Sequence, residues 1–427
     1  MLPLQLSYAY LAQLSLAVGA LVFLAGLAVL HLVAIVWARL YFYRRLEPLD
    51  PEADRLPGVS ILKPLVGIDK NVYANLETYF TLQYPRYELL FCLESSEDIV
   101  SMVVDTLMEK YPHVDARVFK SPKQHSVNPK VNNMMQGFEC AKYDLLLISD
   151  SGVRMLPQAL ADMVRCMGRD VGMVHQMPFT EQRPGFHNVV QSAYFGGTHA
   201  KVYITANLVG INCTTGMSCL FRKSILDPLP GGLAYFGRYL AEDFFLSQYV
   251  RSRGFRVVLS HYPALQDGST SVGNLRRRLI RWIKLRSAMI PHVVLLEPFS
   301  DCLLSGLMAA WALAFLWPSG VNVYAYFLIH CLAWLLCDYL LMLNCMESPA
   351  PFSRLAFVCA WLLCACMSPL NVLCAQCQRG VEWRGRRFRL EWGGVTRELP
   401  LEASVAAATT AAAAESADPA SQKKVAI

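Results

Sequence analysis

Charge is what this sequence has least of in its first segment. From Met1 to Ala38 there is no Asp, Glu, Lys or Arg. That run excludes a solvated N-terminal arm and is long enough for one transmembrane helix. It has no basic n-region and no small-residue cleavage site, so a retained anchor is expected, not a removed signal. Across the whole chain only 17% of residues are charged and 54% are hydrophobic, with mean hydropathy +0.32. An ordinary soluble enzyme and an all-membrane bundle are both excluded by these values. A soluble domain on a few spanning helices is expected.

A second cysteine pair is also missing. Cys374 and Cys377 form a lone CxxC with no histidines nearby, which argues against a zinc site. Nine of the 14 cysteines lie beyond residue 300, mostly in apolar stretches where Cys acts as a small hydrophobe, so a reduced protein is expected. The net charge of +6 is modest, and its cations cluster beside apolar segments. This favours lipid headgroups or a phosphate ligand over nucleic acid.

Arg39, Arg44 and Arg45 close the first apolar run, and the positive-inside rule puts residues 45 onward in the cytosol. Between about residues 57 and 270, "VSILKPL", "YELLFCL", "DARVFK", "DLLLISD" and "VGMVHQM" read as strands. Helical patterns such as "DIVSMVVDTLMEKY" separate them, which predicts an α/β domain with a mostly parallel sheet. Ligands bind such sheets at the carboxyl ends of their strands. Further spans are expected at about 299–317, 321–343 and 355–375. The expected organisation is an anchor over 1–44, a cytosolic domain over 45–274, an amphipathic interfacial region over 275–298, membrane helices over 299–378, and a basic segment with a disordered Ala-rich tail over 379–427. Three crossings would put the tail on the far side, yet "RGVEWRGRRFRL" is strongly basic. Either one segment is re-entrant or the charge rule fails there.

Four stretches offer chemistry. Asp150 ends an apolar strand and is followed by Ser151 and Gly152, a setting for a hard divalent cation bridging phosphates, or simply for a turn. Glu242 and Asp243 precede an amphipathic stretch. At most one of two adjacent carboxylates is expected to enter a site, and helix capping explains them equally well. Lys130, with Lys123 and His125 before it, reads as a lysine on a polar loop that could meet a phosphate. The fourth stretch is "RRRLIRW". With Lys284 and Arg286 it makes six cations in eleven residues and includes no acid. On a helix, Arg278, Arg281 and Trp282 share one face. They suit a membrane-interface anchor, a pyrophosphate site, or both.

Order and spacing add to these. Lys63-Pro64 closes the first strand, and an acidic cluster of Glu94, Glu97 and Asp98 follows the second. Asp150, Glu242-Asp243 and Arg278-x-x-Arg281-Trp282 come next. This series resembles the inverting GT-A glycosyltransferases with a (Q/R)xxRW motif and, more narrowly, the ceramide glucosyltransferase family. "LPGVSILKPLVGID", "NPKVNN", "TGMSCLFRK", "AEDFF" and "RLIRWIKLR" are among the matching stretches, which are dense over roughly residues 56–290.

The resemblance implies a GT-A nucleotide-sugar-binding domain, with helices on both faces of its sheet. It implies transfer of glucose from UDP-glucose to the primary hydroxyl of ceramide with inversion, at the Golgi membrane with the catalytic domain facing the cytosol. Asp150 would hold the diphosphate through Mg²⁺ or Mn²⁺, Asp243 would be the general base, and Lys63, Pro64, Glu94, Ser95 and Lys130 would border the nucleotide sugar. Arg278, Arg281 and Trp282 would be the family motif, and His199 and Cys213 would lie near the acceptor. Ser95 stands where the family usually carries Asp, so Glu94, Glu97 or Asp98 would have to take over. Another membrane inverting transferase, acting on a polysaccharide or a polyprenyl phosphate, and an inactive scaffold of the same fold remain the alternatives.

Overall fold

The structure is a computed structural model that describes residues 8–44, 56–120, 122, 124–267, 271–292, 296–378 and 380–400. Lys123, Arg45 and the Ala-rich tail lie outside the described residues.

The charge-free N-terminal run forms α1 (Tyr8–Tyr41), one uninterrupted helix of 34 residues. At 1.5 Å per residue it is about 50 Å long, more than a bilayer's hydrocarbon core. The α/β domain begins with β1 (Val59–Leu65), α2 (Val72–Phe80), β2 (Tyr87–Leu93), α3 (Val100–Lys110), β3 (Ala116–Lys120), α4 (Pro129–Cys140) and β4 (Leu145–Ser149). Every residue of β1 and β4 is buried, as expected of parallel strands covered on both faces. Asn128 caps α4, its Oδ1 accepting from the backbone N–H groups of Lys130 and Val131, and Pro129 occupies the first turn.

The chain continues through β5 (Val153–Arg154), α5 (Ala159–Cys166), β6 (Val171–His175), β7 (Pro178–Thr180), α6 (Phe186–Tyr194) and α7 (Ala200–Leu208). Then come β8 (Ser218–Arg222), α8 (Glu242–Ser252), β9 (Arg256–Leu259), β10 (Ala264–Gln266) and α9 (Val272–Met289). The main sheet has seven strands in the order β3-β2-β1-β4-β8-β6-β9. It is parallel except at β8, which runs antiparallel to both neighbours. The mostly parallel expectation holds, and β8 is the central strand that sequence patterning did not pick out. A small sheet, β5-β10-β7, lies beyond the ends of β4 and β6.

Three further apolar helices come after α9: α10 (Cys302–Leu316), α11 (Val323–Asn344) and α12 (Arg354–Cys377). The helices α1, α11 and α12 are long and apolar enough to cross a membrane, whereas α10 has 15 residues. Helices α1, α10 and α11 form a bundle. Tyr10 and Phe315 meet at one end of it with ring centroids 5.5 Å apart, and Asn344 Nδ2 donates to the Ile35 carbonyl near the other at 3.2 Å.

Helix α12 behaves differently. Just before it, Ser348 Oγ donates to Gln182, and along it the Cys364 thiol reaches the Val190 carbonyl of α6 at 3.5 Å. Near its far end Arg276 of α9 bonds Asn371 at 3.0 Å and Cys374 at 3.1 Å. Helix α12 therefore packs on α6 and α9 as well as on α11, where the Trp361 indole donates to Asp338 at 2.8 Å.

The described part of the basic segment is folded. β11 (Val381–Trp383), β12 (Arg386–Leu390) and β13 (Thr396–Leu399) form an antiparallel sheet whose fully buried Phe388 packs with Leu240 and Val381. The sheet is tied to the α/β domain by a bridge between Tyr239 and Val395 and by the Lys284 ammonium, which donates to the Gly380 carbonyl at 2.6 Å.

Candidate active site

Asp150 stands at the carboxyl end of β4, its N–H donating to the Met217 carbonyl at 2.9 Å. Its own carbonyl accepts from Lys63 Nζ at 2.7 Å. Lys63 is fully buried inside β1, with its ammonium 3.7 Å from the centre of the Tyr79 ring. Burial lowers its pKa well below the usual lysine value, and Asp150 opposes that only in part. Lys63 thus holds the Asp150 backbone from behind and is not among the residues that face the cavity, whereas its neighbour Pro64 is.

Lys130 is a buried hub in the first turn of α4, not a loop lysine. Its Nζ lies 2.8 Å from Asp150 Oδ1, 3.0 Å from Glu242 Oε1 and 2.9 Å from the Gly216 carbonyl. Burial disfavours the ammonium, but Asp150 and Glu242 reverse this and hold its pKa above the ordinary lysine range. The other Glu242 oxygen accepts from Asn128 Nδ2 at 3.0 Å.

Asp243 follows Glu242 in the first turn of α8, and both line the cavity. The expectation that at most one of them could do so assumed extended backbone, where neighbours point to opposite faces. In a helix they diverge by only about 100°. Glu242 is occupied by Lys130 and Asn128, while Asp243 accepts from the Gly216 N–H at 2.5 Å and the Phe244 N–H at 2.8 Å. Burial, then the charge of Glu242, pushes Asp243 up to about 6, against the pull of Lys130. A carboxylate tuned to that value, on a cavity wall, is suited to accept a proton near neutral pH.

The opposite wall comes from α9, whose Ser271 cap accepts from the Asn274 N–H at 3.1 Å. Arg278, Arg281 and Trp282 all line the same cavity of about 610 Å³ as Asp150 and Asp243. Arg278 donates to Gln266 Oε1 at 2.5 Å and lies 4.6 Å from the centre of the Trp282 ring. Burial, then the neighbouring Arg281, lowers its pKa to about 10. Arg281 makes no ion pair among the described residues, and its guanidinium sits 5.9 Å from the centre of the Trp383 ring.

A second cavity of about 370 Å³ opens among α1, α6, α7, α9 and the C-terminal helices. Its walls are mainly apolar and include Phe23, Leu27, Val202, Ile283, Trp334 and Trp361. The two cavities share His199, Tyr203, Cys213 and Arg286. His199 is stacked near Tyr203 at 5.4 Å, its buried Nδ1 has no hydrogen-bond partner, and burial lowers its pKa to about 3, so it is a neutral ring. Burial pushes the Cys213 thiol up to about 12, which makes it a poor nucleophile.

Glu94 and Ser95 are not on this cavity's wall. Glu94 instead pairs with Arg384 at 3.5 Å and Arg386 at 3.8 Å, both from the C-terminal sheet. Trp383 and Arg384 do line the cavity, and sequence reading missed them. The signal was present in "RGVEWRGRRFRL", but its charge was read only for topology.

The cavity's oxygen donors fit Mg²⁺ or Mn²⁺. Asp150 presents a partly exposed carboxylate, and such ions take one or two protein carboxylates with phosphate oxygens and water completing the shell. Among the described residues the one cluster of three candidate metal-binding side chains, Asp162, Cys166 and His261, lies elsewhere. Asp162 there already accepts from Ser260 Oγ at 2.6 Å and the His261 N–H at 2.9 Å, a structural network.

The α/β domain thus sets Asp150 at a strand end and Glu242 and Asp243 at the start of α8 against an arginine-rich helix, and it is joined to apolar helices long enough to cross a membrane. Residues 26–396 match the model of glycosyl transferase family 21, and the chain belongs to that family. Ceramide glucosyltransferase 1 of Caenorhabditis elegans is 40% identical over 385 residues, covering 90% of this chain and 81% of the relative. The ceramide glucosyltransferase of Komagataella phaffii is 30% identical, covering 74% and 75%. Among solved structures, the mannosyltransferase PcManGT from Pyrobaculum calidifontis, in complex with GDP-Man and Mn²⁺, aligns over 84% of this chain and 99% of its own at 16% identity, with a TM-score of 0.47.

Proposed function

We propose that this enzyme transfers glucose from UDP-glucose to the primary hydroxyl of ceramide, with inversion at the anomeric carbon. One observation carries the reading: a polar cavity with acids and arginines and an apolar cavity among membrane helices share the wall of His199, Tyr203, Cys213 and Arg286. A charged donor and a lipid acceptor can meet there without either leaving its own medium. The names of the relatives point to ceramide as acceptor and glucose as the group transferred.

In this reading the ceramide oxygen attacks the anomeric carbon while the bond from that carbon to the diphosphate oxygen breaks. Asp243 takes the hydroxyl proton, and UDP departs. Single displacement needs a base at the acceptor and positive charge at the leaving group. Arg278 and Arg281 supply that charge from α9, and Lys130 holds Asp150 and Glu242 in place. Asp150 would bind Mg²⁺ or Mn²⁺, which when bound supplies further charge to the diphosphate. Trp282 and His199 form the apolar edge where the sugar and the lipid headgroup meet. We assign the α/β domain to the cytosolic side of the Golgi membrane, in keeping with Arg39 and Arg44 at the end of α1.

The test is UDP release by detergent-solubilised protein, with several UDP-sugars crossed against ceramide, polyprenyl phosphate and no acceptor. Release should require UDP-glucose and ceramide together and yield the β-linked glucoside. Release with polyprenyl phosphate but not with ceramide would overturn the assignment. Wild-type protein and Asp150→Ala should also be compared for UDP binding with and without EDTA. Equal affinity in all four cases removes the metal.

A further inference from the structure

The C-terminal sheet lies far along the chain from Asp150 and Asp243, yet its first turn reaches the donor cavity. Trp383 and Arg386 are paired across β11 and β12, so Arg384 and Gly385 form a two-residue hairpin loop. Both have positive φ, 51° at Arg384 and 73° at Gly385. Tight hairpins favour Asn-Gly at such positions, and an arginine there adopts a conformation that L side chains avoid. Strain of this kind at a cavity wall points from the observed conformation to a function for the side chain.

The surroundings of Arg384 indicate what that function is. Its side chain lines the cavity that holds Asp150, Arg278 and Arg281. Arg281 and Arg384 flank the same indole, with guanidinium carbons 5.9 Å and 5.4 Å from the centre of the Trp383 ring. The charge of Arg384 adds to burial in lowering the Arg281 pKa, so the two cations repel one another across the cavity edge. Glu94 compensates only from the loop after β2, at 3.5 Å from Arg384 and 3.8 Å from Arg386. Two guanidinium groups held at one edge, one of them with no acid partner among the described residues, suit an anion between them.

We propose that Arg384 is a donor-binding residue: it and Arg281 clamp the diphosphate of the nucleotide sugar, and the hairpin is the fixed third wall of the donor site. This rests on the nucleotide-sugar reading above. The hairpin also gives a role to Glu94, which anchors the hairpin and need not touch the nucleotide itself. A segment that begins as a basic tail thereby completes the site built by the α/β domain.

The full chain in detergent decides the matter, with UDP and uridine as probes and calorimetry as the readout. Arg384→Gly relieves the positive φ but gives up the pair with Glu94, so a purely structural role predicts lower thermal stability with unchanged UDP affinity. We expect UDP affinity to fall by about tenfold to a hundredfold, the scale of a lost charge-assisted contact. Uridine affinity should not move, and Arg384→Lys should recover part of the loss. With UDP-glucose, donor KM should rise and acceptor KM should stay. Unchanged UDP affinity in Arg384→Gly, or equal losses for UDP and uridine, overturns the proposal. Failure of the wild-type protein to bind UDP at all would instead overturn the donor reading on which it rests.

Discussion

The two cavities differ in nearly every physical respect although they share a wall. The larger holds Lys130, Asp150, Glu242, Asp243 and three arginines from α9, and its geometry is set by ion pairs and backbone N–H donors. The smaller is bounded by Phe23, Leu27, Trp334, Trp361 and similar side chains, and its geometry is set by packing. Charges in the first are confined by one another, so a polar ligand can replace one partner with another. The second exposes mainly apolar surface, which suits hydrocarbon, although the Arg286–Glu297 pair, Asp301 and Asp338 also line it. On the shared wall Arg286, paired with Glu297, carries the charge, and His199 beside it is a neutral ring.

The polar cavity should respond most strongly to substitution. Asp243→Asn keeps shape but cannot take a proton, and turnover should drop about 10²–10⁴-fold. UDP affinity should be nearly unchanged, as calorimetry on the same preparation would show. A variant with normal turnover would remove Asp243 as the base.

Next comes stability. Lys130→Met keeps the volume of the hub but leaves Asp150 and Glu242 facing each other without their cation. Removing one partner of a buried ion pair costs about 3–5 kcal/mol, and the thermal midpoint in detergent should fall accordingly. An unchanged midpoint would mean that the carboxylates are compensated by solvent.

The apolar cavity is probed by filling it. Val202→Trp adds bulk to its wall. Long-acyl ceramides should lose about tenfold in kcat/KM relative to short ones, with donor KM unaffected. Equal losses for all chain lengths would show that the acyl chain lies elsewhere.

A subtler difference lies in the pH profile. A base works unprotonated, so kcat/KM should fall as pH drops through about 6, the value to which Asp243 is raised. The charge of Glu242 contributes to that rise, so Glu242→Gln should move the acid limb to lower pH while leaving the plateau rate within a few-fold. A limb that stays in place would show that burial alone sets the value.

Much of the fold is legible in the sequence because the relevant physics is local. A charge-free run makes a long helix wherever it lies, and continuous apolar runs such as "DLLLISD" make buried strands. Arg278, Arg281 and Trp282 share a face because of helical period alone, and Asp150 and Asp243 are marked by position relative to their elements. β8 escaped notice because a short apolar run reads the same way in a strand and in a helix.

Absent from the sequence is the identity of partners far along the chain. Lys63 and Lys130 look alike as lysines near strand or helix ends. Only the fold sends Lys63 to the backbone of Asp150, 87 residues away, and Lys130 to its carboxylate. Glu94 and Arg384 are 290 residues apart, and no local pattern could join them. Helix α12 has the length and composition of a membrane span, and only the fold shows that one of its faces packs on α6 and α9. Secondary structure is decided by neighbours in sequence. A cation's pKa, the partner of a carboxylate and the surface on which a helix rests are decided by neighbours in space, which only the folded chain brings together.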